Sequence, residues 1–203
     1  MYSTETSTGI LMLKRYFRPI CICFCATFAT ACASSAADDP AVTKQIFDSG
    51  VVAYDAKNYE EAFKIFSSID DRDVAAMRNV ALMLRKGEGT GKDPKAAEEM
   101  YARAAQGGLA TAAADLGEML LNGEAGSPDA KAALPWLLGA AAADHPIAAL
   151  EAGKILEDGT DVPKDIATAR KLYRIAAKAG LKEGVKRLAA LPPEGSPASS
   201  TKP

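Results

Sequence analysis

Four cysteines have types and spacing that could bind a metal ion or form disulfides. Cys21, Cys23, Cys25 and Cys32 all lie in one short apolar stretch near the N-terminus. The Cys-x-Cys-x-Cys spacing could hold a metal, but the neighbouring residues are apolar and no histidine is near. We therefore interpret the stretch as a hydrophobic leader. The rest of the chain has no cysteine for a disulfide framework or a cysteine-based metal site.

The glycine-rich run from Gly87 to Lys92 resembles a phosphate-binding loop. Lys86 stands where the first glycine of that motif belongs, and Asp93 stands in place of its serine or threonine. No strand is predicted before the run, and the Asp93 carboxylate would repel a phosphate. The pattern therefore argues against nucleotide binding, and no cofactor is expected.

His145 is the only histidine, so any histidine-based mechanism would have to use it. It precedes Pro146 at a predicted helix boundary, where capping the helix or simple exposure is the favoured interpretation. No serine stands at a recognisable nucleophile turn, and no cluster of metal ligands is present. The sequence predicts a protein that is not an enzyme and has no metal site.

The first 37 residues have the pattern of a bacterial secretory leader. Lys14, Arg15 and Arg18 precede an apolar run at residues 20–28, and small residues follow to Ala37. The apolar run is shorter than the roughly 20 residues of a membrane-spanning helix. Met12 would begin a more typical leader than Met1 does.

Two ways of processing this leader remain open. Ala29-Thr30-Ala31-Cys32 resembles the lipobox of bacterial lipoproteins, with Ala29 in place of the usual leucine, and would make Cys32 the site of lipid attachment. The alternative is cleavage at an Ala-x-Ala-like site after Ala31, Ala33 or Ala37, which would give a soluble periplasmic protein. We expect an exported protein, either periplasmic or anchored to the outer membrane only through a lipid on Cys32.

The body of the chain repeats with a period of 36 residues. The recurring positions are Gly87, Gly123 and Gly159; Asp93, Asp129 and Asp165; and the alanine pairs that begin at Ala104, Ala140 and Ala176. Such a period predicts stacked helical hairpins. In each unit a first helix starts near Ala76, Ala112 or Ala148 and ends at the glycine, and the aspartate caps the second helix. Pro135 lies within the second helix of the middle unit, which should either be kinked there or begin late.

These repeats resemble the Sel-one-like repeat family, which is related to tetratricopeptide repeats. The motifs that carry the resemblance are Leu116-Gly117, Gly123, Asp129, Ala133-x-x-Trp136 and Ala140-Ala141, and in the next unit Gly153, Gly159, Val162-Pro163-Lys164-Asp165 and Tyr173. The resemblance covers residues 74–181. It implies an all-α fold, an α-solenoid of stacked antiparallel helix hairpins in a right-handed superhelix, which usually serves as an adaptor.

Irregular segments flank the three repeats. We predict a linker at residues 38–42, a tetratricopeptide-like capping hairpin over residues 43–73 and a capping helix over residues 182–191. The capping helix should turn Val185, Leu188 and Leu191 inward. Residues 192–203 are rich in proline, serine and glycine and should be disordered.

The net charge and the equivalent positions of the repeats indicate which kind of partner to expect and where it would bind. Without residues 1–31 the chain has 21 basic and 25 acidic residues, which argues against nucleic acid. If the first helices line the concave face, a partner would meet three ladders of equivalent positions. These are Asn79, Asp115 and Glu151; Leu82, Glu118 and Lys154; and Arg85, Leu121 and Glu157. An ordinary solvated face with ion pairs between repeats is an equally good interpretation.

The leading functional hypothesis is a non-catalytic adaptor of the bacterial cell envelope that binds an unidentified protein or peptide. One alternative is an envelope structural protein associated with peptidoglycan or a secretion assembly. A less favoured one, suggested by secreted relatives, is a protein that binds or hydrolyses β-lactams. The absence of cysteines from the repeats and the absence of a catalytic constellation argue against it.

Overall fold

The computed structural model describes residues 39–193, which form nine helices and no strand. The chain divides into two compact units, residues 1–45 and 46–203, and the first unit is described only over residues 39–45. The predicted leader with Cys32, and residues 194–203 of the predicted tail, lie outside the described residues. None of the nine helices is long and apolar enough to span a membrane.

The helices follow one another with short connections. They are α1 (Pro40–Asp55), α2 (Tyr59–Ser67), α3 (Val74–Lys86), α4 (Pro94–Gln106), α5 (Ala110–Asn122), α6 (Ala130–Ala142), α7 (Pro146–Asp158), α8 (Ile166–Lys178) and α9 (Lys182–Ala190). The pairs α3–α4, α5–α6 and α7–α8 are the three repeats, and from α2 onward each helix packs on the next along the chain.

The recurring glycines and aspartates end and begin the helices as predicted. Gly87, Gly123 and Gly159 end α3, α5 and α7 in the left-handed region, with φ of 77°, 65° and 71°. A side chain is strained in that conformation, whereas glycine adopts it readily. Asp93, Asp129 and Asp165 accept hydrogen bonds from backbone N–H groups in the first turns of α4, α6 and α8.

A small residue on each first helix faces a large one on its second helix. A methyl group added at Gly153 would lie 2.6 Å from the Tyr173 ring, and one added at Gly117 would lie 2.5 Å from Leu137. Gly50 faces Phe66 in the same way in the N-terminal hairpin. The missing side chain lets the two helices approach closely, so the large residue is buried between them.

The hydrophobic core consists of three clusters arranged along the chain rather than one centre. One joins the N-terminal hairpin to α3, the second joins α3 and α4 to α5, and the third extends from α5 to Leu191 after α9. Every cluster contains residues from neighbouring units. The stacking of units therefore contributes to the burial of every cluster, as expected of a repeat architecture.

Four details differ from the sequence predictions. α1 begins at Pro40, so residues 40–42 are helical and the linker assignment is wrong for them. The first helices begin at Val74, Ala110 and Pro146, two residues earlier than predicted. Of the two alternatives for the helix that contains Pro135, a late start is wrong: α6 starts at Ala130, with Pro135 inside it.

The fourth difference concerns the capping helix. Val185 is 53% exposed, so its predicted inward orientation is wrong. Gly184 is buried in its place, and a methyl group there would lie 2.7 Å from Ala176 Cβ. This close approach turns α9 so that the glycine faces α8 and Val185 faces outward.

Candidate interaction surface

The nine predicted face residues lie on the first helices of the three repeats. They are Asn79, Leu82 and Arg85 on α3; Asp115, Glu118 and Leu121 on α5; and Glu151, Lys154 and Glu157 on α7. Their spacing of three residues places each trio along one side of its helix. None of the nine is buried. We call this set the first-helix face.

All six charged members of this face form ion pairs within the chain. Arg85 reaches from α3 to the next repeat, where its Nη2 lies 2.9 Å from Glu118 Oε1 and its Nε lies 2.7 Å from Glu124 Oε2. A second, closer contact joins Arg85 Nη2 to Glu124 Oε1. The arginine thus donates to both oxygens of the Glu124 carboxylate from one edge of its planar group, a strong and directional arrangement.

The remaining charged members are paired in the same manner. Arg78 Nε lies 2.6 Å from Asp115 Oδ2 in the next repeat. Glu151 and Lys154 form a 2.8 Å pair within α7. Glu157 accepts from the Tyr173 hydroxyl at 2.6 Å and from Arg187 of α9 at 3.1 Å. The contacts of Arg78 with Asp115 and of Glu157 with Arg187 join neighbouring units, so the face does include the ion pairs between repeats that the sequence left as an alternative.

The pKa shifts indicate that Arg85 and Glu124 stabilise each other's charged forms. The hydrogen bond that Arg85 donates to Glu124 raises the pKa of Arg85 far above its ordinary value, and the same bond lowers the pKa of Glu124. Both groups therefore remain charged at neutral pH. A partner would meet them as a neutralised pair, not as a free cation and a free anion.

An apolar cleft lies where the N-terminal hairpin meets the first repeat. Its volume is about 140 Å³, and it is lined by Val51, Tyr54, Phe66, Asn79 and Leu82. Two of these residues belong to the predicted face, and the other three come from α1 and α2. We call this site the α1–α3 cleft.

The tyrosine of the cleft is fixed by the first repeat. The Tyr54 hydroxyl donates to Glu88 Oε2 at 2.6 Å, and Lys86 Nζ lies 3.3 Å from the same hydroxyl oxygen. Partial burial, followed by the bond to Glu88, raises the pKa of Tyr54. The ring of Tyr54 is therefore a rigid wall of the cleft.

A larger depression, about 570 Å³, lies at the turn between α1 and α2. Its lining is mostly polar and of mixed charge: Lys57, Asn58, Tyr59, Glu60, Glu61, Lys64 and Gly89. Small-molecule sites are mainly apolar with a few well-placed polar groups. We therefore regard the smaller, apolar cleft as the better candidate site.

The residues that suggested other chemistry have structural roles. Gly89 lies in a loop after a helix, with φ of 73°, and a methyl group there would lie 2.2 Å from the Tyr59 carbonyl oxygen. The glycine-rich run therefore packs against the N-terminal hairpin. His145 Nδ1 accepts from the Ala148 N–H at 3.3 Å, so of the two interpretations, capping and simple exposure, the structure has capping. Residues 39–193 contain no group of three or more potential metal-binding side chains.

Sequence reasoning missed several residues of this surface. Arg78 and Glu124 complete the ion pairs, and Val51, Tyr54 and Phe66 complete the cleft. The sequence did contain one signal for Glu124: a glutamate follows the recurring glycine at Glu88 and again 36 residues later at Glu124. In the structure both glutamates accept a hydrogen bond from the preceding unit. The cleft had no such signal, since the capping hairpin does not keep the 36-residue period.

Comparison with known families accounts for the repeats. A model described as Sel1 repeat matches residues 74–109, 110–145 and 146–181, which together make up more than half of the chain. The chain belongs to the Sel1 repeat family. Sel1 repeat proteins typically mediate protein–protein interaction, and their fold is generally a non-catalytic scaffold.

Seventeen chains in solved structures match this Sel1 repeat protein, whereas the comparison with curated proteins gave no match. A Sel1 repeat protein from Oxalobacter formigenes is 31% identical over 70% of this chain and 58% of its own, with a TM-score of 0.63. A protective antigen of uropathogenic Escherichia coli with an SLR fold is 24% identical over 68% of this chain and 30% of its own, with a TM-score of 0.62. The predicted all-α repeat solenoid is thereby confirmed. This chain matches less than two thirds of the length of either structure.

Proposed function

We propose that this Sel1 repeat protein is a non-catalytic adaptor of the bacterial cell envelope that binds a protein or peptide on its first-helix face. The observation that carries the proposal is the α1–α3 cleft. It is an apolar recess on a face whose charged members already form ion pairs within the chain.

The chemistry of the cleft suits one apolar side chain of a partner. Val51, Phe66 and Leu82 offer an apolar lining, and burying an apolar side chain there would be favourable by the usual hydrophobic gain. Asn79 adds an amide that can both donate and accept hydrogen bonds, which matches the backbone of a bound peptide. Anchors of this type carry a large share of the affinity at protein interfaces.

The paired charges around the cleft contribute to selectivity more than to affinity. Arg85 with Glu118 and Glu124, and Arg78 with Asp115, present both signs in fixed positions. A partner with a complementary pattern is oriented by them, whereas one with a single sign of charge pays a desolvation cost without a gain.

A pair of matched valine substitutions tests the cleft. Val51 and Val42 lie on the same helix and are 36% and 38% exposed, but only Val51 lines the cleft. Proteins cross-linked to the wild type in intact cells should be lost with Val51→Asp and retained with Val42→Asp. Equal cross-linking by both variants would contradict this site.

The envelope location rests on the leader alone and has its own test. Cys32→Ser should move the protein from the membrane fraction to the soluble periplasmic fraction. A wild-type protein found in the cytoplasm would overturn the location and leave the binding site untouched. An unchanged membrane association of the Cys32→Ser variant would overturn lipid attachment at Cys32.

A further inference from the structure

The two ends of the unit formed by residues 46–203 carry opposite charge. Residues 46–73 contain seven acidic and three basic residues, a net charge of −4. Residues 164–193 contain eight basic and two acidic residues, a net charge of +6. The small net charge of the whole chain conceals this separation.

The basic end exposes an apolar residue, Val185. The equivalent position is buried in all three repeats. Val185 is 53% exposed, whereas Met77, Ala113 and Ala149, which precede it by multiples of 36 residues, are buried. No second helix follows α9 in the described residues to cover it.

The acidic end has the same property. Gly50, Ala81 and Gly117 occupy equivalent positions on their first helices. Gly50 and Gly117 face Phe66 and Leu137 of their second helices, and Ala81 lies in one hydrophobic cluster with Tyr101. Val52, two residues after Gly50, therefore corresponds to Met83 and Met119. These methionines are 0% and 1% exposed beneath the preceding unit, whereas Val52 is 69% exposed.

The charges beside the two valines are opposite. Asp48 and Asp55 precede and follow Val52 by four and three residues, so all three lie on one side of α1. Lys182 precedes Val185 on α9 by three residues, and Lys186 directly follows Val185 and lies one turn after Lys182. All four charged side chains are exposed.

We propose that these ends bind each other between two copies of this chain, with α9 of one copy against α1 of the next. The contact would cover both valines and pair the lysines of one copy with the aspartates of the other. A heterologous contact of this kind extends into chains of copies and does not stop at a closed dimer. Because two helix faces form a small interface made largely of charge, the association should be weak and sensitive to salt.

Sedimentation velocity of the purified full-length protein tests the contact. The mean mass should rise with protein concentration at low salt and return to that of the monomer at high salt. Protein that remains monomeric at every concentration and salt overturns the proposal. Binding of a different protein at the basic end, while the chain itself stays monomeric, also overturns the proposal.

Charge reversal separates this contact from nonspecific attraction. Lys182→Glu with Lys186→Glu, and Asp48→Lys with Asp55→Lys, should each abolish association alone, and an equal mixture of the two variants should associate again.

A matched control changes charge elsewhere. Lys92→Glu with Lys95→Glu makes the same charge change at exposed sites away from both ends and should associate as the wild type does. A thermal melt checks that each variant is folded. Failure of the mixture to associate, or loss of association in the control, overturns the proposal, while the α1–α3 cleft is tested independently by Val51→Asp.

Discussion

The guanidinium of Arg85, near the end of α3, binds the carboxylate of Glu124, the residue that follows the left-handed glycine of the next repeat. Tyr54 makes the corresponding contact with Glu88 one unit earlier. In both cases the end of a first helix reaches forward to the loop of the following unit. The loops thus help to fix one repeat on the next, in addition to the apolar core.

Glu124→Gln should lower the free energy of unfolding by about 1 kcal/mol, because a partly buried charged hydrogen bond is lost. Glu118→Gln is the matched control, since Glu118 pairs with the same arginine but is more than half exposed. It should cost about half as much or less. Urea denaturation of both variants measures the difference, and equal losses would contradict the special role of Glu124.

The contribution of Glu124 should disappear in acid. Its folded pKa lies below the ordinary value of 4.5, so the unfolded chain takes up this proton more readily than the folded protein does. The stabilisation is fully present above pH 4.5 and is lost as the pH falls through the folded pKa. The stability difference between the wild type and Glu124→Gln should therefore shrink below pH 4.5. A difference that stays constant into acid would show that the pair is not its source.

Two equivalent tyrosines should respond differently to loss of the hydroxyl. Tyr173 donates to Glu157 at 2.6 Å, whereas the buried Tyr101 hydroxyl finds no hydrogen-bond partner in the described part of the chain. Tyr173→Phe should cost about 1–2 kcal/mol, and Tyr101→Phe should be neutral or slightly stabilising. Chemical denaturation of the two variants decides the matter. A larger loss for Tyr101→Phe than for Tyr173→Phe would contradict the hydrogen bonding described above.

The glycine-rich loop offers a pair of glycines two residues apart. Gly89→Ala should destabilise the protein by more than 1 kcal/mol, because it strains a residue with φ of 73° and meets the Tyr59 carbonyl. Gly91→Ala meets nothing within 4 Å and should change stability by less than about 1 kcal/mol. Thermal melts measure both. Equal tolerance of the two changes would mean that the loop does not pack on the N-terminal hairpin.

Local signals in the sequence predicted the repeats well. Gly87, Gly123 and Gly159 end helices because only glycine adopts their backbone conformation without strain, and this property depends on the residue itself. The aspartate caps are equally local, since a carboxylate accepts from N–H groups two or three residues ahead. His145 could be assigned as a cap for the same reason.

Orientation at the ends of the stack was harder to predict. Val185 has the spacing of a core residue, but Gly184 decides which side of α9 approaches α8. Pro135 would end a helix in isolation, yet α6 continues through it because Leu137 and the neighbouring helices bury that segment. In both cases packing between elements overrides a local preference.

The sequence by itself determined the repeat period, the helix boundaries near the glycines and aspartates, and the family. These features depend on residue type and on contacts within a few positions, so they can be recognised from the linear sequence. Only the tertiary structure decided which charges on the first-helix face are paired, where the apolar cleft forms and which valines are left uncovered. The ion pairs between units and the cleft involve side chains more than 25 residues apart along the chain, which meet only when one unit stacks on the next.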